Sequence, residues 1–170
     1  IIEALYEAGA AGVKIDLIIR GICCLKTGLP GVGENIKVRS IVGNYLEHAR
    51  IFYFENDGRP EYYCASADWM PRNLDRRVEI MFPIEKPELQ EKIRHILEYQ
   101  LKDTMKAHIL RADGTYKKET AGDGEGFNSQ LAFCADARQA VKTQEKESTG
   151  RVFIPEMHHG ERTHNKKITP

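Results

Sequence analysis

Apolar and polar positions along the chain fall into blocks that predict helices and strands in alternation. Residues 1–11 place apolar side chains on one side of a helix, which Gly12 then ends. The run at 13–19 is β-branched and largely apolar, as in a strand buried on both faces. A Gly-rich loop at 21–35 follows, and a second strand is predicted at 36–42.

A β-hairpin is the clearest local feature of the next part of the chain. Residues 50–54 and 61–66 have the composition of strands. The sequence Asn-Asp-Gly at 56–58 is typical of a tight turn between two antiparallel strands. One further strand is predicted at 77–84, with Pro83 and Pro87 at its end.

Two helices complete the pattern. Pro87 is typical of a first helical turn, and apolar residues spaced by three and four predict a helix from there to about His108. On that helix His95 and Lys102 are expected to face solvent. A charged, Gly-rich loop then precedes a last helix, which is predicted at 127–141.

These elements predict the α/β fold class, with a mixed β-sheet flanked by helices. One domain is expected over residues 1–145, because the core-forming pattern stops there. Residues 146–170 are polar and are expected to form a disordered tail. Ligands of such folds tend to bind beyond the carboxyl ends of parallel strands, and Arg20 directly follows the first predicted strand.

Composition and charge narrow the possible partners. The 170 residues, 41% of them hydrophobic, suffice for one domain with a core. The 25 basic and 25 acidic residues cancel, so an anion site must be local, and no nucleic-acid partner is expected. The four cysteines show no Cys-x-x-Cys spacing, and no apolar run is long enough to span a membrane. A cytoplasmic protein is expected, with a peripheral position at a membrane left open. Because the chain begins at Ile1 without a methionine, it is expected to be a fragment.

Polar residues bracket the predicted hairpin in two clusters. His48 and Arg50 are two positions apart, so they point to the same face of an extended strand. Ser66 and Asp68 have the same spacing at the end of the partner strand. We therefore expect these four side chains to converge.

This pattern resembles the motif of the phospholipase D superfamily. That motif has a histidine and a lysine two apart, an acidic residue further on, and Ser-x-Asn after the next strand. Here Arg50 stands in place of the lysine, Glu55 in place of the aspartate and Asp68 in place of the asparagine. The resemblance implies a phospholipase-D-like domain, and the departures argue against a hydrolase that uses the unmodified motif.

The departures are similar to those of polyphosphate kinase. The run at 66–79, Ser-Ala-Asp-Trp-Met-Pro-Arg-Asn-Leu-Asp-Arg-Arg-Val-Glu, looks very like the C-terminal region of that family, as do 18–21, 40–42 and 45–50. The resemblance covers about residues 1–140. It implies reversible transfer of the terminal phosphate of ATP onto polyphosphate, through a phosphohistidine that lies in a preceding domain.

The resemblance also implies partners and a cofactor. ATP or ADP and inorganic polyphosphate would be the ligands, together with the remaining domains of the same polypeptide. Magnesium would be bound mainly through those other domains, with no metal site in this chain. A homo-oligomer is expected for the full-length enzyme.

Two residues carry the implied site. Arg20 and His48 match family positions that contact the nucleotide, which makes both of them ATP- and phosphate-binding candidates. Guanidinium groups suit phosphate because they bind it bidentately and keep their charge. His48 is also the catalytic candidate, as an acid or an orienting group, and Glu47 or Glu79 is expected to orient its ring.

The other polar residues of the motif are secondary candidates, and each has a structural alternative. Arg50 contacts substrate or forms an ion pair with Asp68, which is the second candidate. Ser66 binds phosphate or satisfies the end of a strand. Arg72 and Arg76, together with Arg77 beside them, follow a polyanion or form salt bridges with nearby carboxylates. Trp69 stacks on an adenine or packs in the core, and we favour packing.

Two other functions remain open on the sequence. One is a phosphodiesterase of the phospholipase D superfamily, which would need a second histidine from another copy of the chain. The other is a non-catalytic module for assembly, in which the motif serves folding alone.

Overall fold

The computed structural model describes residues 1–147, with side chains through residue 143. Residues Ile1–Ala135 form one compact unit, and the described part of the second unit continues the last helix. In chain order the elements are α1 (Ile2–Ala10), β1 (Ile15–Ile18), β2 (Ile36–Ile41), β3 (Ile51–Phe54), β4 (Glu61–Ala65), α2 (Pro71–Arg76), β5 (Met81–Pro83), α3 (Pro87–Lys102), β6 (Ala107–Leu110), β7 (Tyr116–Lys118) and α4 (Ser129–Glu147).

A mixed sheet of four strands, in the order β1-β2-β6-β7, holds the main core. The strands β1 and β2 are parallel, whereas β6 is antiparallel to β2 and to β7. Val38 on β2 and Ala107 on β6 are fully buried. Leu5 and Tyr6 of α1 pack against this core. The α/β fold class that the alternation of apolar positions predicts is thus confirmed.

The predicted hairpin lies in a second, antiparallel sheet of three strands, in the order β3-β4-β5. Its turn places Asn56, Asp57 and Gly58 in the left-handed region, with φ of 46°, 51° and 78°. Asn, Asp and Gly adopt this conformation at the lowest cost, which explains the turn sequence. The predicted hairpin is thus confirmed, although its strands do not join the four-stranded sheet.

The strand predicted at 77–84 is wrong over its first half. Of the predicted range only β5, at Met81–Pro83, is a strand, and residues 71–76 before the range form the short helix α2, which the pattern did not predict. Pro71 occupies the beginning of α2, where the missing N–H of proline costs nothing. Arg77 then returns to extended backbone, with φ −121° and ψ 152°.

The helix predicted from Pro87 begins as expected but ends earlier. Asp103 leaves the helical region with ψ of 122°, and its carboxylate Oδ1 accepts the backbone N–H groups of Lys106 and Ala107. The chain is thereby redirected into β6, so His108 lies in a strand rather than in a helix. The solvent-facing position expected for His95 is also wrong. Its ring is half-buried, with its centroid 3.9 Å from that of Tyr99 and 6.5 Å from that of Phe133.

The last helix, α4, confirms the prediction at 127–141 and runs further, to Glu147. The Asn128 side chain accepts the N–H of Leu131 at 3.1 Å, as a helix cap does. The tail expected at 146–170 lies outside the described residues, apart from its first two positions in α4. Among residues 1–147, no helix is both long and apolar enough to cross a membrane.

Candidate functional site

Arg20 lies just beyond the carboxyl end of β1, where β1 runs parallel to β2. The N–H of Ile19 still bonds to Arg39 of β2 at 2.8 Å, and the Ser40 hydroxyl donates to the Arg20 carbonyl at 3.2 Å. The Arg20 side chain is exposed and its Nη1 donates to the carbonyl of Glu47 at 2.7 Å. Arg20 therefore stands at the strand end that the sequence predicts, and it contacts the residue before His48.

His48 lies in the connection between β2 and β3 and is held from one side by Arg50. Nη1 of Arg50 is 3.1 Å from Nδ1 and 3.4 Å from Nε2 of the ring, and it also donates to the His48 carbonyl at 3.0 Å. Both ring nitrogens of His48 therefore lie within 3.4 Å of the same guanidinium nitrogen.

Arg50 and Asp68 form an ion pair, with Nε 3.0 Å from Oδ1. The Arg50 side chain is 20% exposed and that of Asp68 39% exposed, so the pair is half-buried. The hydrogen bond from Arg50 lowers the pKa of Asp68, assisted by the charges of Arg50, Arg20 and His48 against the effect of burial. The structure thus brings Arg20, His48, Arg50 and Asp68 to one place and forms the ion pair that was the alternative to substrate contact.

Ser66 serves the end of the hairpin strand. Its hydroxyl donates to Glu79 and accepts the N–H of Ile80 at 3.0 Å. Hydrogen bonds from Ser66 and then Asn73 lower the pKa of Glu79. Because its carboxylate is occupied in this way, Glu79 does not orient the ring of His48. Ser66 adopts the structural role that the sequence left as its alternative.

Glu47 is also directed away from the histidine ring. Its Oε1 accepts from Nε2 of Gln130 at 2.8 Å, and its Oε2 accepts from Nε2 of Gln100 at 2.9 Å. Both glutamines are buried, with 4% and 7% of their surface exposed. The expectation that Glu47 orients the His48 ring is therefore wrong. Sequence reasoning also missed both glutamines, because neither lies in the motif.

Trp69 and three arginines follow Asp68 in the chain. Trp69 is 47% exposed, and its ring stacks on Phe52, with centroids 5.2 Å apart and planes at 20°. Arg72, Arg76 and Arg77 are exposed, and within the part of the chain that the structure describes none of them has a carboxylate within 4.0 Å. No salt bridge therefore forms at this turn among the described residues, although the charge of Arg77 helps to lower the pKa of Glu79.

The described residues do not suit a magnesium ion. Between residues 1 and 147 no three His, Cys, Asp or Glu side chains are grouped so that they could hold a metal ion. Magnesium prefers several oxygen ligands with near-octahedral geometry, whereas the Asp68 carboxylate already pairs with Arg50.

Comparisons with known proteins agree on one family. Residues 1–130 match the family described as polyphosphate kinase C-terminal domain 2. The chain is 50% identical over 161 residues to a polyphosphate kinase of Lactiplantibacillus plantarum, covering 92% of this chain and 22% of that protein. It is 52% identical over 149 residues to polyphosphate kinase 1 of Chlorobaculum tepidum, covering 88% of this chain and 20% of that protein.

A solved structure shows the same likeness. The crystal structure of polyphosphate kinase from Porphyromonas gingivalis matches with a TM-score of 0.78 at 41% identity, over 84% of this chain and 22% of that chain. This match confirms the predicted phospholipase-D-like α/β fold. The chain spans about a fifth of the length of these relatives.

Proposed function

The chain belongs to the polyphosphate kinase C-terminal domain family, and on that premise we propose that it supplies the nucleotide- and polyphosphate-binding half of a phosphotransferase site. The reaction would be reversible transfer of the terminal phosphate of ATP onto polyphosphate. The phosphohistidine of that reaction would lie in a part of the protein outside this chain. One observation carries the proposal: Arg20 and His48, which are remote in sequence, meet at Glu47.

Arg20 is suited to hold a phosphate. Within residues 1–147 only one of its N–H donors is occupied, by the Glu47 carbonyl, and the side chain is exposed. A guanidinium has five donors in a planar fork, so the others can bind two phosphate oxygens at once. Phosphoryl transfer depends mainly on positioning and on stabilising the charge of the transferred group, and Arg20 contributes both.

His48 is suited to donate a hydrogen bond or a proton at the reacting phosphate. Nη1 of Arg50 contacts both ring nitrogens and the carbonyl of His48, which holds the ring in place at the proposed site. Arg50 itself is held by Asp68, so we assign both residues to orienting His48 rather than to substrate. Magnesium would be held by other parts of the protein, since the described residues do not fit that ion.

The test is a phosphorus NMR titration of the chain with polyphosphate and with Mg-ATP. We expect line broadening without new phosphate peaks. Arg20→Ala or His48→Ala should lower the apparent affinity derived from this broadening by about 10-fold or more. Arg59→Ala, in the exposed β3–β4 turn, is the matched control and should bind like the unchanged chain. Equal binding by all four proteins would contradict the assignment of Arg20 and His48.

The two rival functions give different results. Hydrolysis of a simple phosphodiester by the chain would favour a phosphodiesterase. Unchanged polyphosphate synthesis by a full-length protein that carries His48→Ala would favour a module for assembly.

A further inference from the structure

The connection between β2 and β3 has no regular structure of its own, although it holds His48. Residues 42–50 form neither helix nor strand, so their backbone groups need partners from elsewhere. At Tyr45 a single side chain, that of Gln130, provides a partner for the backbone N–H and for the backbone carbonyl. Oε1 of Gln130 accepts the Tyr45 N–H at 3.1 Å, and Nε2 of Gln130 donates to the Tyr45 carbonyl at 2.8 Å. A glutamine amide thus takes the place of a neighbouring strand.

The same amide also holds the residue before His48. Nε2 of Gln130 donates to Oε1 of Glu47, while Gln100 donates to Oε2, so the carboxylate is gripped by two buried amides. The carbonyl of Glu47 in turn accepts from Arg20. The backbone at Glu47 is therefore the common anchor of the two residues proposed to bind phosphate.

Gly43 shows how closely α4 approaches this connection. A Cβ atom at Gly43 would overlap Oε1 of Gln130, so a larger residue would displace the amide from this position. The amide is thus packed tightly against the connection from position 43 to position 47.

Gln130 is itself placed by a rigid helix end. The carboxylate Oδ2 of Asp103 accepts both the N–H and the hydroxyl of Ser129 at 2.8 Å. Thr104 bonds to Phe127 in both directions, through its N–H and through its hydroxyl. These contacts fix the first turn of α4, and they therefore fix where the Gln130 amide lies.

From this arrangement we infer that Gln130 is a positioning residue for His48 and Arg20, acting through Tyr45 and Glu47. The inference rests on the proposed function, because it concerns how the two phosphate-binding residues are aligned. Gln130 does not face the ligand itself. Its loss lets residues 43–48 move, and a displacement of about 1 Å can cost up to about 100-fold in turnover.

The experiment compares Gln130→Ala with Gln90→Ala in a full-length protein that carries this domain. Gln90 is the matched control, since it also donates a side-chain amide to a backbone carbonyl, that of Ile84 at 2.8 Å, and lies about 15 Å from Gln100 along α3. We expect Gln130→Ala to lower kcat for polyphosphate synthesis about 10- to 100-fold. Gln90→Ala should change kcat less than about 2-fold, with both variants still folded in a thermal melt.

An exchange of side chains separates positioning from mere stability. Gln130→Glu places two carboxylates face to face, so it should be worse than Gln130→Ala. Adding Glu47→Gln restores one amide-to-carboxylate bond and should recover at least about 3-fold in kcat. Equal losses of kcat in Gln130→Ala and Gln90→Ala, or no recovery in the exchanged pair, would overturn the inference.

Two further variants cover the remaining outcomes. If Gln130→Ala does not fold, Gln130→Met decides, because that change keeps the volume of the side chain and removes its bonds to Tyr45 and Glu47. It should lower kcat about 3- to 10-fold, and a loss no greater than that of Gln90→Ala would refute the role. His48→Ala tests the proposed function separately. If synthesis survives in His48→Ala, the proposed function fails; if it is lost there while Gln130→Ala equals the control, only the positioning role fails.

Discussion

The Asp103 carboxylate shows how much of the fold one side chain determines at the scale of a residue. It is fully buried and accepts N–H groups from both the turn into β6 and the beginning of α4. Burial disfavours its charge, yet these hydrogen bonds outweigh burial and hold the pKa of Asp103 below its ordinary value of 3.8. The folded state therefore prefers the charged carboxylate.

Asp103→Asn is expected to lower the free energy of unfolding by about 2–4 kcal/mol at pH 7. The reason is that one carboxylate oxygen, which accepts N–H groups, is replaced by an NH2 group that can only donate. Since the folded pKa lies below the unfolded one, the contribution of the carboxylate is complete above about pH 4 and is lost as pH falls through the folded value. The difference in free energy of unfolding between the unchanged protein and Asp103→Asn, measured by urea unfolding, should therefore become smaller at acidic pH. Asp16→Asn, at an exposed position, is the control. An equal gap at both pH values would contradict this account.

At the scale of an element, α1 is fixed to the loop before β2 by a close approach at Gly9. A Cβ atom there would lie 2.5 Å from the Val32 carbonyl oxygen and 3.5 Å from Cγ1 of Ile36. The Asn35 side chain also donates to the Gly9 carbonyl at 3.3 Å. The glycine is therefore required by packing, against the preference of a helix interior for alanine.

Gly9→Ala tests whether the gain in helix propensity or the steric overlap of the new Cβ atom is larger. Helix propensity alone would stabilise the variant by about 1 kcal/mol. The overlap is with a backbone atom that cannot rotate away, so we expect a net loss of about 1–3 kcal/mol in urea unfolding. Gly21→Ala meets nothing within 4 Å and should change stability by less than about 0.5 kcal/mol. A stabilised Gly9→Ala variant would show that the loop adjusts.

The element bounds that the sequence pattern missed also have local causes. The pattern predicted one strand at 77–84 because the apolar residues are frequent there, but strand pairing reaches only residues 81–83. The end of α3 was missed because Asp103 redirects the chain through hydrogen bonds. Its carboxylate accepts the backbone N–H of Lys106 and the hydroxyl of Ser129. Periodicity detects an apolar face, whereas an ending depends on hydrogen-bond partners.

At the scale of the whole molecule, the balanced charge leaves the local distribution of cations to decide anion binding. The chain has 25 basic and 25 acidic residues, so its net charge attracts no polyanion. The arginines at 72, 76 and 77 are exposed and form no ion pair within 4.0 Å among the described residues, close after Asp68. They are therefore the candidates for contact with a long polyphosphate chain.

Replacing Arg72, Arg76 and Arg77 together by glutamine is expected to weaken binding of long polyphosphate about 10-fold, at about 0.5 kcal/mol per exposed contact. The loss should shrink at high salt, and Mg-ATP binding should stay unchanged. Fluorescence competition with labelled polyphosphate measures the affinity for polyphosphate and the affinity for Mg-ATP. The control replaces Arg59, Lys86 and Lys92, which carry the same charge on other exposed positions. If the control weakens binding equally, overall charge and not this cluster is responsible.

The sequence by itself determined the α/β class, the hairpin and the family, because periodicity, turn residues and motif spacing are local properties of the chain. The motif also identified His48, Arg50 and Asp68, whose side chains meet at the open end of one hairpin. Only the tertiary structure decided what holds Glu47, since its partners Gln100 and Gln130 are 53 and 83 positions away. Contacts at that separation leave no period in the sequence, and they exist only once α3 and α4 pack beside the connection that carries His48.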